Sequence, residues 1–424
     1  MFCFVTETAI HYRLSMQPYI FCYFASTGKL LKLQQENVRQ THLGQTKLAT
    51  FLVVHPYLDI YGGGERVCHN VIQTLVAHGQ KVELLTFDFD ANRYRDIVGD
   101  DFPQDVGVHS LGKRIEVEPP FTIYKRHRNF VRLLKEYRDK LEYDYLFSTQ
   151  SSSPFEPVFL NKAKKNIAYV HFPEIHHDYA KGTLKRKLYL WLFKHWVEQG
   201  INKLELVFCN SLYTKEAIQR YWKSHGVKEP IVVYPAVDLE KFWNDKPLSQ
   251  RKKRVVYLAR FIPVKRHEIL KRLAADLPNY EFVSVGGLID ADKGWFERFS
   301  QNQLRNYALK TNLPGPELLT ILQDSRIYVH LMEGEHFGIA PVEGLASGCV
   351  DIVHNSGGMK EFIPDEYRWD NYDDLKAKIV KNIELDDAAW DHKREQLWKK
   401  ISVLTPEAFQ AAVWTNVQKL ISPP

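Results

Sequence analysis

The stretch that decides the fold is Glu333–Lys360, EGEHFGIAPVEGLASGCVDIVHNSGGMK. An apolar run, Ile327–Met332, leads into it, and a helical segment opens near Pro341, where the missing N–H of proline costs nothing. That order is a strand, a tight loop and a helix N-terminus. Glu335 stands at the mouth of the loop, and Glu343 falls in the first helical turn. Both line one crevice at the carboxyl end of a strand, where open α/β sheets bind ligands. Between them the amides of Phe337, Gly338 and Ile339 sit at the helix start, which favours an anion such as a phosphate. Two carboxylates repel a diphosphate, so they suit the neutral hydroxyls of a sugar and a ribose.

Upstream, the same strand–loop–helix format recurs. Leu48–Val54 reads as a buried strand, a loop carrying Gly62, Gly63 and Gly64 follows, and Val67–Ala77 has a helical apolar rhythm that stops at Gly79. With Lys81–Phe87 as the next strand, this is a βαβ unit with glycines where the backbone meets a ligand. No Gly-x-Gly-x-x-Gly is present, so it is not the dinucleotide fingerprint. The strand Ile167–Val170 presents His171 at its end. A lone histidine there is more often structural than catalytic, and the residues alone leave both readings open.

The polar segment Asn244–Arg254 breaks the apolar rhythm and reads as a linker. Beyond it, strand Val255–Ala259 closes on Arg260, and Lys265 sits beside the next helix start. Two cations and an amide dipole then converge where a departing diphosphate needs them. Val350–His354 and Asn355–Gly358 repeat the strand-then-loop format, and Pro406–Ile421 reads as a terminal helix with apolar spacing at Phe409, Val413 and Val417.

The chain has 424 residues, 45% hydrophobic and 25% charged, enough for two or three domains with ample core. A formal charge of +6 favours an anionic membrane surface or phosphorylated substrates and is too small to imply nucleic acid. Five scattered cysteines form neither a disulfide framework nor a zinc spacing, which points to the reducing cytosol. His176 and His177, neighbours on what reads as extended chain, point to opposite faces, and with His171 they lack carboxylate-rich company, so no metal site is expected. Residues 1–46 differ from the rest: an aromatic-rich start without a spanning run or signal-peptide pattern, then a polar stretch. They read as an interfacial anchor, a disordered arm or an artefact of start-codon choice. Lys181–Val197 joins a basic start to an apolar-aromatic run, and is either a core helix or a helix lying in a membrane interface.

The Glu335-x7-Glu343 pattern with Phe337-Gly338 after the first acid resembles the retaining glycosyltransferases of the GT-B fold (glycosyltransferase family four). Arg260-x4-Lys265 matches that family's diphosphate motif, and Gly62-Gly-Gly-Glu-Arg66 is similar to a loop in one branch. That branch comprises α-1,2-mannosyltransferases that extend lipid-linked oligosaccharides from GDP-mannose; Glu335–Ile339 and His354–Gly358 look closest to it. The resemblance implies an α/β protein with two Rossmann-like domains facing a central cleft and a C-terminal helix returning to the first. The expected boundaries are 1–46 for the extension, 47–243 for an acceptor domain, 252–405 for a nucleotide-sugar domain and 406–424 for the terminal helix.

It further implies transfer of mannose from GDP-mannose to a glycan or polyprenyl-pyrophosphate-linked acceptor, with retention and without a metal or other cofactor. Glu335 and the Phe337–Ile339 amides would hold the sugar, Glu343 the ribose, and Arg260 and Lys265 the diphosphate. Gly62–Gly64 would lie between donor diphosphate and acceptor, with His171 beside the reacting sugar. The branch motif at that histidine is His-Tyr-Pro-Thr; here it is His171-Phe-Pro-Glu174, a departure that bears on the acceptor. The lipid acceptor favours peripheral contact through Lys181–Trp196, on the cytosolic face of a membrane. Two rivals share the fold: a sugar-nucleotide epimerase, and a catalytically silent scaffold subunit.

Overall fold

A computed structural model describes residues 48–58, 62–113, 121–138, 140–149 and 162–421; the expected extension, residues 1–46, lies outside them. Two parallel sheets account for every described strand. The first runs β3-β2-β1-β4-β5-β6-β7, where β1 is Thr50–Tyr57, β2 Lys81–Phe87, β3 Gly107–Ser110, β4 Tyr145–Ser148, β5 Lys165–Val170, β6 Leu204–Cys209 and β7 Ile231–Val232. The second runs β10-β9-β8-β11-β12-β13, where β8 is Lys252–Leu258, β9 Glu281–Gly286, β10 Tyr307–Thr311, β11 Ser325–His330, β12 Val350–His354 and β13 Arg368–Trp369. Each order reverses once, between β1 and β4 and between β8 and β11, and such switch points open ligand crevices at the strands' carboxyl ends.

The strands read as unbroken apolar runs because helices cover both faces; all six residues of β11 are buried. Each half holds an apolar cluster of its own. Val54, Phe193 and Trp222 belong to the first, and Val255, Ile327 and Leu397 to the second. The chain passes between the halves twice, and the passages are bonded to each other: Val237 N–H donates to Leu404 O at 2.8 Å. The terminal helix, Pro406–Ile421, packs on the first half, with Trp414 stacked on His78 (4.1 Å between ring centres) and Phe409 against Tyr169.

Several elements depart from the sequence reading in detail. The first helix spans Gly63–Ala77, so Gly63 and Gly64 form its opening turn rather than a preceding loop. Residues 174–181 are a helix, not extended chain, so His176 and His177 are successive helical positions and do not alternate as strand neighbours would. The Ala91–Val98 helix and the short β3 carried too few apolar residues to stand out.

Candidate active site

The loop after β11 is held from behind by the loop after β12. Gly358 N–H donates to Glu335 O (2.8 Å), and Gly334 N–H donates to Ser356 Oγ (2.7 Å). Gly357 has φ +77°, and a Cβ there would fall 2.1 Å from Glu335 O, so only glycine permits the contact. The helix Ile339–Ala346 then starts from Gly338 at φ +97°. Its unpartnered amides are therefore those of Ile339 and Ala340, since Pro341 has none, while Phe337 precedes the cap and buries its ring.

Lys265, at the end of a short turn after β8, places Nζ 3.0 Å from Glu335 Oε2. His330, the last residue of β11, donates Nε2–H to the same oxygen at 3.1 Å. Burial opposes ionisation of Glu335, yet the Lys265 ammonium and then the His330 hydrogen bond hold its carboxyl well below the usual range. Arg260 is exposed, and its backbone oxygen is tied to His267 Nε2 (3.0 Å). Its charge acts on Glu174, whose carboxyl is pushed up to about 7 by protein crowding and Asp178 against the pull of Arg260, although part of that side chain reaches solvent.

The first half closes on this cradle through several contacts. Arg66 Nη1 pairs with Glu343 Oε1, and Glu343 is almost fully buried. Phe172 stacks face to face on His336, 4.0 Å between ring centres, and Ser211 Oγ–H donates to His336 O at 2.6 Å. Glu361 accepts from the free amides of Leu212 (3.1 Å) and Tyr213 (3.2 Å) at the start of the Leu212–Trp222 helix, and from Tyr234 OH (3.0 Å).

His171 lies under Gly64, where a Cβ would meet both its ring and that of His55. Its Nε2–H donates to Thr149 O (3.2 Å), which leaves Nδ1 as the acceptor. Burial first, then the charge on His55, lowers its pKa to about 4, so the ring is neutral. The structure thus pairs Lys265 with Glu335, buries Glu343 against Arg66, sets Gly63 against Ile339 and places Gly64 beside His171. Arg66, His336, Phe172 and Glu361 were missed. All four sit inside or beside motifs that were read, but spacing within one motif carries no information about a partner more than a hundred residues away.

Among the described residues, one cluster has metal-ligand chemistry: His176, Glu198 and His225, with ligand atoms within 4.8 Å of one another. The donor set does not fit a metal. Trp222 Nε1–H donates to His176 Nδ1 (3.0 Å), so the proton of the neutral ring sits on Nε2, the atom a metal would need. Lys194 already pairs with Glu198, whose other neighbours are His225 (3.1 Å), His176 (3.6 Å) and His195 (3.9 Å).

Comparisons with known proteins bear on the fold and the family. The model described as Glycosyltransferase Family 4 matches residues 61–241, and that described as Glycosyl transferases group 1 matches residues 239–396. The GDP-Man:Man(3)GlcNAc(2)-PP-Dol alpha-1,2-mannosyltransferase of Homo sapiens is 24% identical, over 92% of this chain and 91% of its own. Its namesake in Dictyostelium discoideum is 26% identical, over 73% of this chain and 72% of its own. Sucrose-phosphate synthase from Thermosynechococcus elongatus superposes with a TM-score of 0.66 at 16% identity, over 88% of this chain and 99% of that one. A UDP-forming alpha,alpha-trehalose-phosphate synthase from Burkholderia vietnamiensis gives 0.66 at 11%, with the same coverage. With the two family matches tiling both parallel sheets and solved structures sharing their arrangement, the chain belongs to glycosyltransferase family 4 and has the GT-B fold.

Proposed function

We propose that this glycosyltransferase moves mannose from GDP-mannose to a hydroxyl of a lipid-linked oligosaccharide, with retention, as a peripheral protein on a membrane surface. The observation that carries the reading is the Lys265–Glu335 pair beside the unpartnered amides of Ile339 and Ala340, with Arg260 at the same strand end. It joins an ionised acceptor for sugar hydroxyls to a cationic place for a diphosphate. The names of the curated relatives supply the donor, linkage and acceptor.

In the reaction, the bond between the sugar C1 and the diphosphate oxygen breaks, and the electron pair leaves with the nucleoside diphosphate. Arg260, Lys265 and the helix amides balance the charge that builds there. The acceptor hydroxyl oxygen bonds to C1 from the same face, and its proton passes to the departing phosphate oxygen, so no protein base is needed. Glu335 holds sugar hydroxyls, Glu343 the ribose diol, and neutral His171 offers Nδ1 to a hydroxyl near C1.

Membrane contact rests on the helix Leu184–Ile201. Leu190, Phe193, Val197 and Ile201 are buried, while Leu184 (75% exposed), Leu188 (72%) and Trp191 (61%) form a stripe toward solvent. The buried face fits the core-helix reading, and the exposed stripe supports the interface reading. No described helix is long and apolar enough to cross a membrane. The deciding experiment is a nucleotide-sugar panel scored for diphosphate release with and without a lipid-pyrophosphate sugar acceptor. Release from GDP-mannose only with acceptor present is expected. Donor alteration without acceptor would establish the epimerase instead, and silence across the panel the scaffold.

A further inference from the structure

Arg66 occupies a place that local electrostatics disfavours. It is in the first turn of the Gly63–Ala77 helix, where the unpaired amides already make a positive pole and a cation is unwelcome. What compensates is a carboxylate from the other half of the molecule: Arg66 Nη1 pairs with Glu343 Oε1, 277 residues away. Glu343 is the dominant influence on the Arg66 charge and holds it above its usual range, with Glu65 and Asp238 adding to the field. The Glu343 side chain is 3% exposed, so without this partner a buried carboxylate would lose the described cation that faces it.

The same two helix starts touch at a second point. A Cβ on Gly63 would fall 2.6 Å from Ile339 Cδ1, so the first half's glycine turn is pressed against the opening of the Ile339–Ala346 helix. Two positive helix poles and one guanidinium therefore meet around Glu343, although the side chains so far assigned to the nucleotide, Arg260, Lys265 and Glu343, all come from the second half. An interdomain staple serving stability alone has no need to grip the carboxylate proposed to hold the ribose.

We infer that Arg66 is a positioning residue for the nucleotide: by holding one oxygen of Glu343, it fixes that carboxylate for the ribose diol and makes donor affinity depend on closure of the two halves. The inference rests on the ribose role of Glu343. A guanidinium suits the task because it stays charged and offers several donors in a rigid plane, so it can hold one oxygen of Glu343 without restraining the other.

The test is calorimetric titration of the full chain with GDP, for the parent, Arg66→Ala, Arg66→Lys, Glu343→Ala and the Arg66→Ala/Glu343→Ala double variant. Arg66→Ala is expected to weaken GDP binding about tenfold, and to cost almost nothing further once Glu343 is gone, the signature of coupled residues. The donor KM should rise with kcat less affected, and Arg66→Lys should restore part of the loss. A purely structural role would lower thermal stability while leaving GDP affinity in place. Unchanged or tighter GDP binding by Arg66→Ala, or additive losses in the double variant, overturns the inference. Glu343→Ala binding GDP like the parent refutes the ribose assignment beneath it instead, and so does a parent that binds no GDP. Should Arg66→Ala fail to fold, Arg66→Lys decides alone, since parent-like affinity and KM with a charge of different shape refute positioning.

Discussion

Lys265 Nζ lies 3.0 Å from Glu335 Oε2, joining the loop after β8 to the loop after β11 across the switch point of the second sheet. In the proposed mechanism, the cation that meets the diphosphate thus also neutralises the acid that holds the sugar. This removes the repulsion that two carboxylates would otherwise present to an anionic donor. It also ties the protonation state of Glu335 to a side chain that can be removed.

Lys265→Ala should therefore act twice. Turnover should fall by about two to three orders of magnitude, the scale of losing one group that stabilises developing charge. Glu335, still buried but without the ammonium, should bind its proton more readily, so the acid limb of the pH–rate profile moves to higher pH. Arg260→Ala should show the same loss of turnover without the shift of the acid limb, because its side chain is not paired with Glu335. Near-normal turnover in both variants would remove the pair from the site.

How much of this was legible follows from what kind of signal each residue leaves. Parallel strands buried on both faces leave continuous apolar runs, so β1, β8, β11 and β12 could be placed, and with them the loops carrying Gly62, Lys265, Glu335 and Gly357. The short Glu174–Lys181 helix leaves no such signal, because Pro173 and four histidines or acids mask its rhythm. Contacts across the cleft leave none at all. Phe172 looks like an ordinary strand-end aromatic until His336 is found 4.0 Å above it, and Glu343 looks free until Arg66 arrives from the other half. A single sequence records what each segment prefers and not which segments meet.

Asp351 gives a prediction about stability. It sits in β12 with both carboxylate oxygens buried and unpartnered among the described residues, and burial raises its carboxyl well above the usual range. Its folded pKa is thus above the unfolded value of about 3.9, so the protonated group is tolerated fully below that pH. Stability is lost as pH rises from there through the folded pKa, because the unfolded chain gains by ionising. Asp351→Asn cannot ionise in either state and should be more stable than the parent at pH 7 by at least about 1 kcal/mol, with the advantage shrinking toward pH 4. Denaturant midpoints at pH 4.5, 6 and 7.5, chosen as about evenly spaced across that window, measure it. Parallel pH dependence in the two proteins would show that Asp351 is ionised in the fold.

Chelation is a third test. In the proposed mechanism Arg260 and Lys265 balance the diphosphate in place of a divalent ion, so activity should persist in EDTA. The His176–Glu198–His225 cluster gives a control: His225→Ala should leave turnover unchanged with or without chelator. Complete loss in EDTA, restored by Mg²⁺ or Mn²⁺, would reassign the electrostatics of the leaving group.

The last prediction concerns the membrane. The sequence offers Lys185, Arg186, Lys187 and Lys194 to anionic headgroups, but the fold commits two of them elsewhere: Arg186 pairs with Asp178 at 2.7 Å, and Lys194 with Glu198. Lys185 and Lys187 remain, worth about 1 kcal/mol each near an anionic surface and screened beyond a Debye length. Leu188 and Trp191 offer more, since burying such a side chain fully contributes about 1.5–3 kcal/mol. Phe121, 59% exposed and stacked on Tyr189, extends the same patch. The apolar stripe should therefore dominate. Leu188→Ser/Trp191→Ser should lower sedimentation with anionic liposomes more than Lys185→Glu/Lys187→Glu does. High salt should release the parent only in part, and the Leu188/Trp191 variant almost completely. All four positions face solvent or lie near it, so thermal unfolding and turnover on a short-chain soluble acceptor should match the parent. If the serine variant sediments like the parent, this stripe does not touch the bilayer and the lipid acceptor reaches the cleft by another surface.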